Sequence, residues 1–107
     1  MSAADEGIAR SMETIEDMDF AHFSGRVGRL FTVSVGEHSL ELVLAAAQEL
    51  SGSPRPGGAF RLEFRGPADP VLGQGIFPFE IDSDRFEIFV TPLGPDLKGM
   101  RYEAVFF

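Results

Sequence analysis

The chain has 107 residues, of which 44% are apolar and 24% charged, and its net charge is −8. These values are typical of one folded domain with a modest core. Because cysteine is absent, disulfides, thiolate metal sites and a cysteine nucleophile are excluded. The negative charge disfavours binding to nucleic acid or to an anionic membrane, so we predict neither partner.

Residues 1–19 are predicted to be an acidic leader that is partly helical or disordered. The first twenty residues hold six acidic side chains and one arginine. Ile8, Met12 and Ile15 follow the spacing of one thin helical face. The start of the chain lacks the basic and apolar regions of a signal peptide, which predicts a cytoplasmic location and leaves export by a signal-less route open.

A single antiparallel β-domain is predicted for residues 20–107. It opens with a short helix that contains Phe20 and Phe23 and stops at Gly25, the residue type that commonly ends a helix. Because both aromatic rings need a buried environment, we expect this helix to plug one end of the sheet.

From Leu30 onward, apolar and polar side chains alternate, which is the pattern of strands with one buried face. A tight turn at residues 36–38 separates the first two strands. Residues 45–49 fit a strand extension and a helix about equally well. Residues 51–58 are rich in Gly, Pro and Ser and predict a loop.

The C-terminal half contains one pattern twice: an alternating strand, a loop opened by Gly-Pro, and a second aromatic strand. The first copy comprises residues 60–65, Gly66-Pro67 and residues 76–81, and the second comprises residues 86–91, Gly94-Pro95-Asp96 and residues 102–107. Each copy predicts a hairpin. If the strands run up and down, both Gly-Pro loops lie at one end of the domain with the turn at residues 36–38.

The predicted fold is therefore mainly β: a small antiparallel β-sandwich or a partly open β-barrel of about six strands, with a short N-terminal helical lead. Parallel pairing would need helical crossovers, and no segment between the strands is long enough to supply them.

A string of short motifs resembles an uncharacterised bacterial family known as domain of unknown function 6916. The motifs are Phe20, Val27-Gly28, Phe31-Thr32-Val33, Phe64-Arg65-Gly66-Pro67, Leu72-Gly73-Gln74-Gly75, Phe89-Val90-Thr91-Pro92-Leu93-Gly94-Pro95 and Tyr102-Glu103-Ala104-Val105-Phe106. The chain departs from the family at Ile76-Phe77, where relatives often carry tyrosine, and at Phe107, where they often end in asparagine. The resemblance implies the same domain, no known activity, and relatives that accompany collar-like tail-fibre proteins.

Two surfaces are candidates for function. The first is the loop end, where a polar ring could bind a peptide, a sugar or a cation, or could simply cap turns. Its members are His38, Arg65, Asp69, Gln74, Asp96 and Lys98. The second is an apolar face opposite the core. Its members are Ile76, Phe89, Val105 and Phe107. That face needs cover from a second layer, from the N-terminal helix or from another chain.

We predict a non-enzymatic interaction or assembly module that docks a protein partner or a second copy through the loop end, the apolar face or the C-terminal strand. The alternatives are a small-ligand binder with a cavity between sheets and an enzyme of unrecognised type. No catalytic, metal or cofactor site is predicted, because the two histidines lie on different elements without carboxylates at ligand spacing. Glu63 and Glu80 would face each other across the first hairpin as solvated carboxylates.

Overall fold

The computed structural model describes residues 18–51 and 58–107, which form one short helix and six strands. The elements are α1 Ala21–Ser24, β1 Leu30–Val35, β2 His38–Leu50, β3 Ala59–Gly66, β4 Gly75–Ile81, β5 Asp84–Asp96 and β6 Gly99–Phe106. The predicted leader, apart from its last two residues, lies outside the described residues. Most of the predicted loop at residues 51–58 lies outside them too.

Helix α1 is a single turn that ends at Gly25, as predicted. The carboxylate of Asp19 accepts a hydrogen bond from the His22 amide. A helix of four residues is not stable alone, so it needs tertiary contacts. These come from Phe23, which is fully buried with its ring 4.8 Å from Phe86 and 5.7 Å from Phe60. The prediction that this helix plugs one end of the sheet is confirmed.

All six strands pair antiparallel in one sheet, in the order β1-β2-β3-β6-β5-β4, and β4 pairs back onto β1 to close a barrel. The closing contact is short, because it joins only Thr32 to Glu80 and Val33 to Phe79. The predicted mainly-β antiparallel fold is confirmed. Of its two predicted forms the described strands adopt the barrel, and the barrel is closed.

Three hairpins connect neighbouring strands through two-residue turns, at residues 36–37, 82–83 and 97–98. Gly36 and Asp82 have φ values of 61° and 56°, the left-handed conformation that such turns require. Residues 45–49 continue strand β2 across a bulge at Ala45. Of the two structures predicted for this segment, the strand extension is therefore correct and the helix is not.

The first predicted hairpin is wrong. Strand β3 pairs with β2 and with β6, where Phe64 lies opposite Tyr102, and it does not pair with β4. The strand order places β3 and β4 on opposite sides of the barrel, so residues 67–74 must cross its open end. Strands β1 to β3 and the returning β4 thus form a Greek key in which β4 lies beside β1.

The second predicted hairpin is correct, but its loop is not where the sequence suggested. Strand β5 continues through Gly94-Pro95 to Asp96, with a bulge at Leu93, and the turn follows at residues 97–98. The two Gly-Pro pairs still share one end of the barrel, because Met100 lies opposite both Gly66 and Pro95.

Aromatic rings fill the interior of the barrel. The buried residues of this core are Phe23, Phe31, Val33, Leu42, Leu44, Phe60, Leu62, Phe64, Leu72, Phe79, Ile81, Phe86, Ile88, Val90, Tyr102 and Ala104. Helix α1 contributes Phe23 at one end. The loop of residues 67–74, which we call the crossing loop, contributes Leu72 at the other. Leu40, Phe77 and Phe106 are half-buried and pack against this core. Small barrels are filled by side chains in this way.

Candidate interaction surfaces

Three connections define the mouth end of the barrel: the turn at residues 36–37, the crossing loop at residues 67–74 and the turn at residues 97–98. They gather there because β1, β3 and β5 all run toward this end in an alternating antiparallel sheet. The mouth end carries all six residues of the predicted polar ring. Two depressions lie near this end, and Arg65 and Lys98 line the first of them while His38 lines the second.

Arg65, Asp96 and Lys98 lie together at the first depression. The guanidinium of Arg65 donates a 2.7 Å hydrogen bond to the Asp96 carboxylate, which also accepts from the Lys98 amide at 2.8 Å. The hydrogen bond from Arg65 lowers the pKa of Asp96, and that from the Lys98 amide acts in the same direction. Asp96 therefore stabilises the turn that follows it. A shallow groove of about 440 Å³ runs beside these residues, along Glu41, Val43 and Pro67.

His38 lies at the start of β2 and borders the second depression, which measures about 200 Å³. We call this depression the mouth slot. The other residues that line the mouth slot are Val35, Leu40, Pro70, Val71 and Leu72. Asp69 and Gln74 are exposed on the crossing loop. Of the six predicted residues, His38 is the one that lines this apolar depression, so the structure does not gather them into a single ring.

A buried hydrogen bond holds the crossing loop against the barrel. The amide of Leu72 donates to the hydroxyl of Tyr102 at 2.8 Å, and both residues are buried. Because a buried amide needs a partner, this bond accounts for a hydroxyl inside an otherwise apolar core. In the sequence, the hint of this contact is Leu72, a large apolar residue within a loop rich in Gly and Pro.

An ionic ladder covers the outer face of β3 and β6. Glu63 lies opposite Glu103, and Arg65 lies opposite Arg101, so the directly opposed residues carry like charges. The diagonal contacts compensate: Arg101 Nε donates to Glu63 at 3.0 Å, and Arg61 Nε donates to Glu103 at 2.6 Å. Diagonal neighbours on a sheet are within reach of long side chains.

Glu63 is the centre of this ladder. The hydrogen bond from Arg101 lowers its pKa, a further bond from Arg61 acts in the same direction, and partial burial opposes both. The prediction that Glu63 faces Glu80 is wrong, because β3 and β4 are not neighbours. Glu80 lies opposite Arg85 instead. Strand order, which the sequence does not reveal, decides which carboxylate meets which arginine.

A second ionic cluster lies at the opposite end of the barrel. Arg29 donates two hydrogen bonds to the Asp82 carboxylate, at 2.8 and 3.1 Å, and Arg26 contacts Asp84 at 2.7 Å. These pairs join the connection between α1 and β1 to the turn between β4 and β5. The hydrogen bonds from Arg29 lower the pKa of Asp82. The cluster has a structural explanation, and sequence reasoning missed it.

The predicted apolar face is present and exposed. We call it the apolar stripe; its members are Ile76 (64% exposed), Phe89 (50%), Val105 (50%) and Phe107 (74%). Ile76 lies directly opposite Phe89. Val105 and Phe89 are each two residues from the pair formed by Thr91 and Glu103, so they point to the same face. Because the described strands form one layer, no second sheet covers the stripe.

The C-terminal strand, the third predicted docking surface, is paired on both sides. Strand β6 is hydrogen-bonded to β3 from Phe60 to Gly66 and to β5 from Thr91 to Asp96. It therefore lies inside the sheet, and much of its backbone is used. Docking through this strand has less to support it than docking through the other two surfaces.

Two features are absent from the described residues. Over residues 18–51 and 58–107, no group of three or more His, Asp or Glu side chains is arranged to hold a metal ion. In the same part of the chain, no helix has the length and apolar character needed to cross a membrane.

The fold and its surfaces define a small antiparallel Greek-key barrel, closed by a helix at one end and a crossing loop at the other. A family model described as "Domain of unknown function (DUF6916)" matches residues 18–106, and the chain belongs to this family. The predicted resemblance is confirmed. Neither the curated proteins nor the solved structures gave a match.

Proposed function

We propose that the chain is a non-enzymatic assembly module that associates through the apolar stripe, with a second copy of the chain as the occupant. The observation that carries this proposal is the exposure of Ile76, Phe89, Val105 and Phe107 on the outer face of β4, β5 and β6. The largest apolar patch on a soluble protein is often functional, and such patches commonly mark interaction sites.

The size of the stripe supports a reversible contact. From the exposed fractions, the four side chains present about 400 Å² of apolar surface, taking about 200 Å² for a phenylalanine. Two copies would bury roughly twice that area, which is below the standard interface of about 1,600 Å². Since association also costs translational and rotational freedom, we expect a dissociation constant in the micromolar range.

A second copy fits the stripe because an isologous contact requires only one self-complementary patch on each chain. The family resemblance implies relatives that accompany collar-like tail-fibre proteins, and an assembly role for this chain is consistent with that expectation. The cytoplasmic location and the domain boundary after residue 19 stay predictions.

The two alternative functions have less support. A ligand cavity between sheets would need a second sheet, whereas the described strands form one barrel filled by core side chains. An enzyme would bring titratable groups together in a cleft. Here Glu63, Asp82 and Asp96 are already engaged by arginines on the outer face and in the turns. His22 and His38 lie at opposite ends of the barrel.

The test is the molar mass in solution as a function of concentration, for the full chain and for a variant that lacks residues 1–17. We expect a monomer–dimer equilibrium in at least one form, and we expect Phe89→Asp to make that form monomeric. Leu30→Asp is the matched control, because Leu30 is 52% exposed on β1 and Phe89 is 50% exposed on β5.

Monomers in both forms at every concentration would overturn the proposal. An equal effect of the Leu30→Asp control would also overturn it, because the loss would then reflect added charge. Stronger association after removal of residues 1–17 would indicate that the leader covers the stripe. Unchanged association would dismiss that role for the leader.

A further inference from the structure

The mouth slot is a second apolar surface, and it is built from different residues than the apolar stripe. Val35 and Leu40 border it from the β1–β2 hairpin, while Pro70, Val71 and Leu72 border it from the crossing loop. His38 is its single polar side chain. The slot is therefore the part of the barrel mouth that the crossing loop leaves open.

The walls of the mouth slot are held in place by the fold. Val35 and His38 are paired across the two-residue turn between β1 and β2. On the other side, the loop is fixed by the buried hydrogen bond from the Leu72 amide to the Tyr102 hydroxyl. A preformed apolar site binds with less loss of entropy than one that must be ordered first.

The volume of the slot decides which kind of occupant it suits. Pockets for small-molecule ligands usually measure about 300–1,000 Å³. The slot measures about 200 Å³. A cavity of about 150 Å³ is enough to hold one benzene molecule. The space therefore matches a single aromatic ring better than a free ligand or a cofactor.

We infer that the mouth slot anchors one aromatic side chain of a protein partner, and that a basic residue stands next to that side chain. Exposed carboxylates flank the slot in the chain, with Glu37 beside His38 and Asp69 beside Pro70. The neighbouring groove is mixed in charge, because Glu41 lines it together with Lys98 and with Arg65, which is paired with Asp96. Acidic groups around an apolar anchor favour a cationic neighbour and repel an anionic one.

The test uses the full chain and three capped dipeptides: acetyl-Phe-Arg-amide, acetyl-Ala-Arg-amide and acetyl-Phe-Glu-amide. Binding is followed by amide chemical shifts in ¹H–¹⁵N spectra. We expect saturable shifts at His38, Val71 and Leu72 with acetyl-Phe-Arg-amide. The alanine peptide should not saturate. The glutamate peptide should bind at least threefold more weakly, and salt should narrow that difference.

A matched pair of variants checks the location. Val71 is 48% exposed at the mouth slot, and Val27 is 47% exposed at the other end of the barrel. Val71→Asn should weaken binding of acetyl-Phe-Arg-amide at least threefold, whereas Val27→Asn should leave it unchanged. Neither change adds charge, and both positions are exposed enough for the fold to tolerate asparagine.

Shifts that do not saturate, that centre on other residues, or that respond equally to both variants would overturn the inference. A glutamate peptide that binds as well as the arginine peptide would overturn the choice of a basic neighbour. Val71→Asn should not alter the molar mass measured for the apolar stripe, so each proposal fails or survives separately.

Discussion

The hydroxyl of Tyr102 illustrates how one polar atom can organise an apolar core. The ring is fully buried inside the barrel, and its hydroxyl reaches the mouth, where it accepts the hydrogen bond of the Leu72 amide. Alternation along β6 predicts that Tyr102 faces inward. Alternation does not predict the partner of the hydroxyl, because that partner lies on a loop thirty residues earlier in the chain.

Tyr102→Phe removes this hydroxyl and keeps the ring. A buried amide that loses its partner costs about 1–3 kcal/mol, so we expect the free energy of unfolding to fall by that amount. Urea unfolding measures the loss, and hydrogen exchange of the Leu72 amide should accelerate. Val71→Ala, an exposed change in the same loop, is the control. Unchanged stability together with unchanged Leu72 exchange would contradict the prediction.

At the scale of elements, the sequence locates one short turn correctly, at residues 36–37, and misplaces another, which lies at residues 97–98. The turn at residues 36–37 lies inside the segment predicted as a tight connection, because Gly36 tolerates the positive φ that the turn requires. The eight residues from Pro67 to Gln74 are long enough to cross the barrel as well as to join neighbours. Strand alternation is the same in both cases, so the pattern alone could not exclude the hairpin that proved wrong.

Two turn glycines provide a comparison of backbone strain with steric crowding. Gly36 and Gly99 both have positive φ values, 61° and 127°. A Cβ atom at Gly36 would meet nothing within 4 Å, whereas one at Gly99 would collide with the carbonyl oxygen of Gly66. Gly36→Ala should therefore cost about 1–2 kcal/mol from the left-handed conformation alone.

Gly99→Ala should cost at least twice as much, because the β5–β6 turn must also move away from β3. Urea unfolding of the two variants gives the comparison, and the amides of Gly66 and Met100 should shift only in Gly99→Ala. Equal losses in the two variants would show that the contact between the turn and Gly66 does not constrain the barrel.

At the scale of the whole molecule, the sequence predicts the class of fold but not its closure. Six alternating segments without crossover helices imply an antiparallel sheet. The sheet closes because β4 pairs with β1, and this pairing joins segments that are far apart in the chain. The same limit applies to the candidate surfaces. The exposed stripe could be read from alternation, whereas the mouth slot exists only because the loop crosses the barrel.

Acid stability is a property of the whole molecule that follows from the ion pairs. Arginine hydrogen bonds lower the pKa values of Glu63, Asp82 and Asp96 in the folded state. A carboxyl group whose pKa is lower when folded stabilises the fold above its unfolded pKa, which is about 4. That contribution disappears as the pH falls through the folded pKa. We therefore expect stability to be steady near neutral pH and to decline below about pH 4.

Glu63→Gln tests how much of this pH dependence of stability comes from the Glu63 carboxylate. At neutral pH the variant should be less stable by about 1 kcal/mol, because Arg101 loses a charge-assisted hydrogen bond while the side chain keeps its shape. As the pH falls and Glu63 becomes protonated in the wild type, the difference between the two proteins should shrink. Urea unfolding at a series of pH values measures it. A difference that stays constant down to pH 2 would show that the ionisation of Glu63 does not stabilise the barrel, and that the lost free energy reflects packing alone.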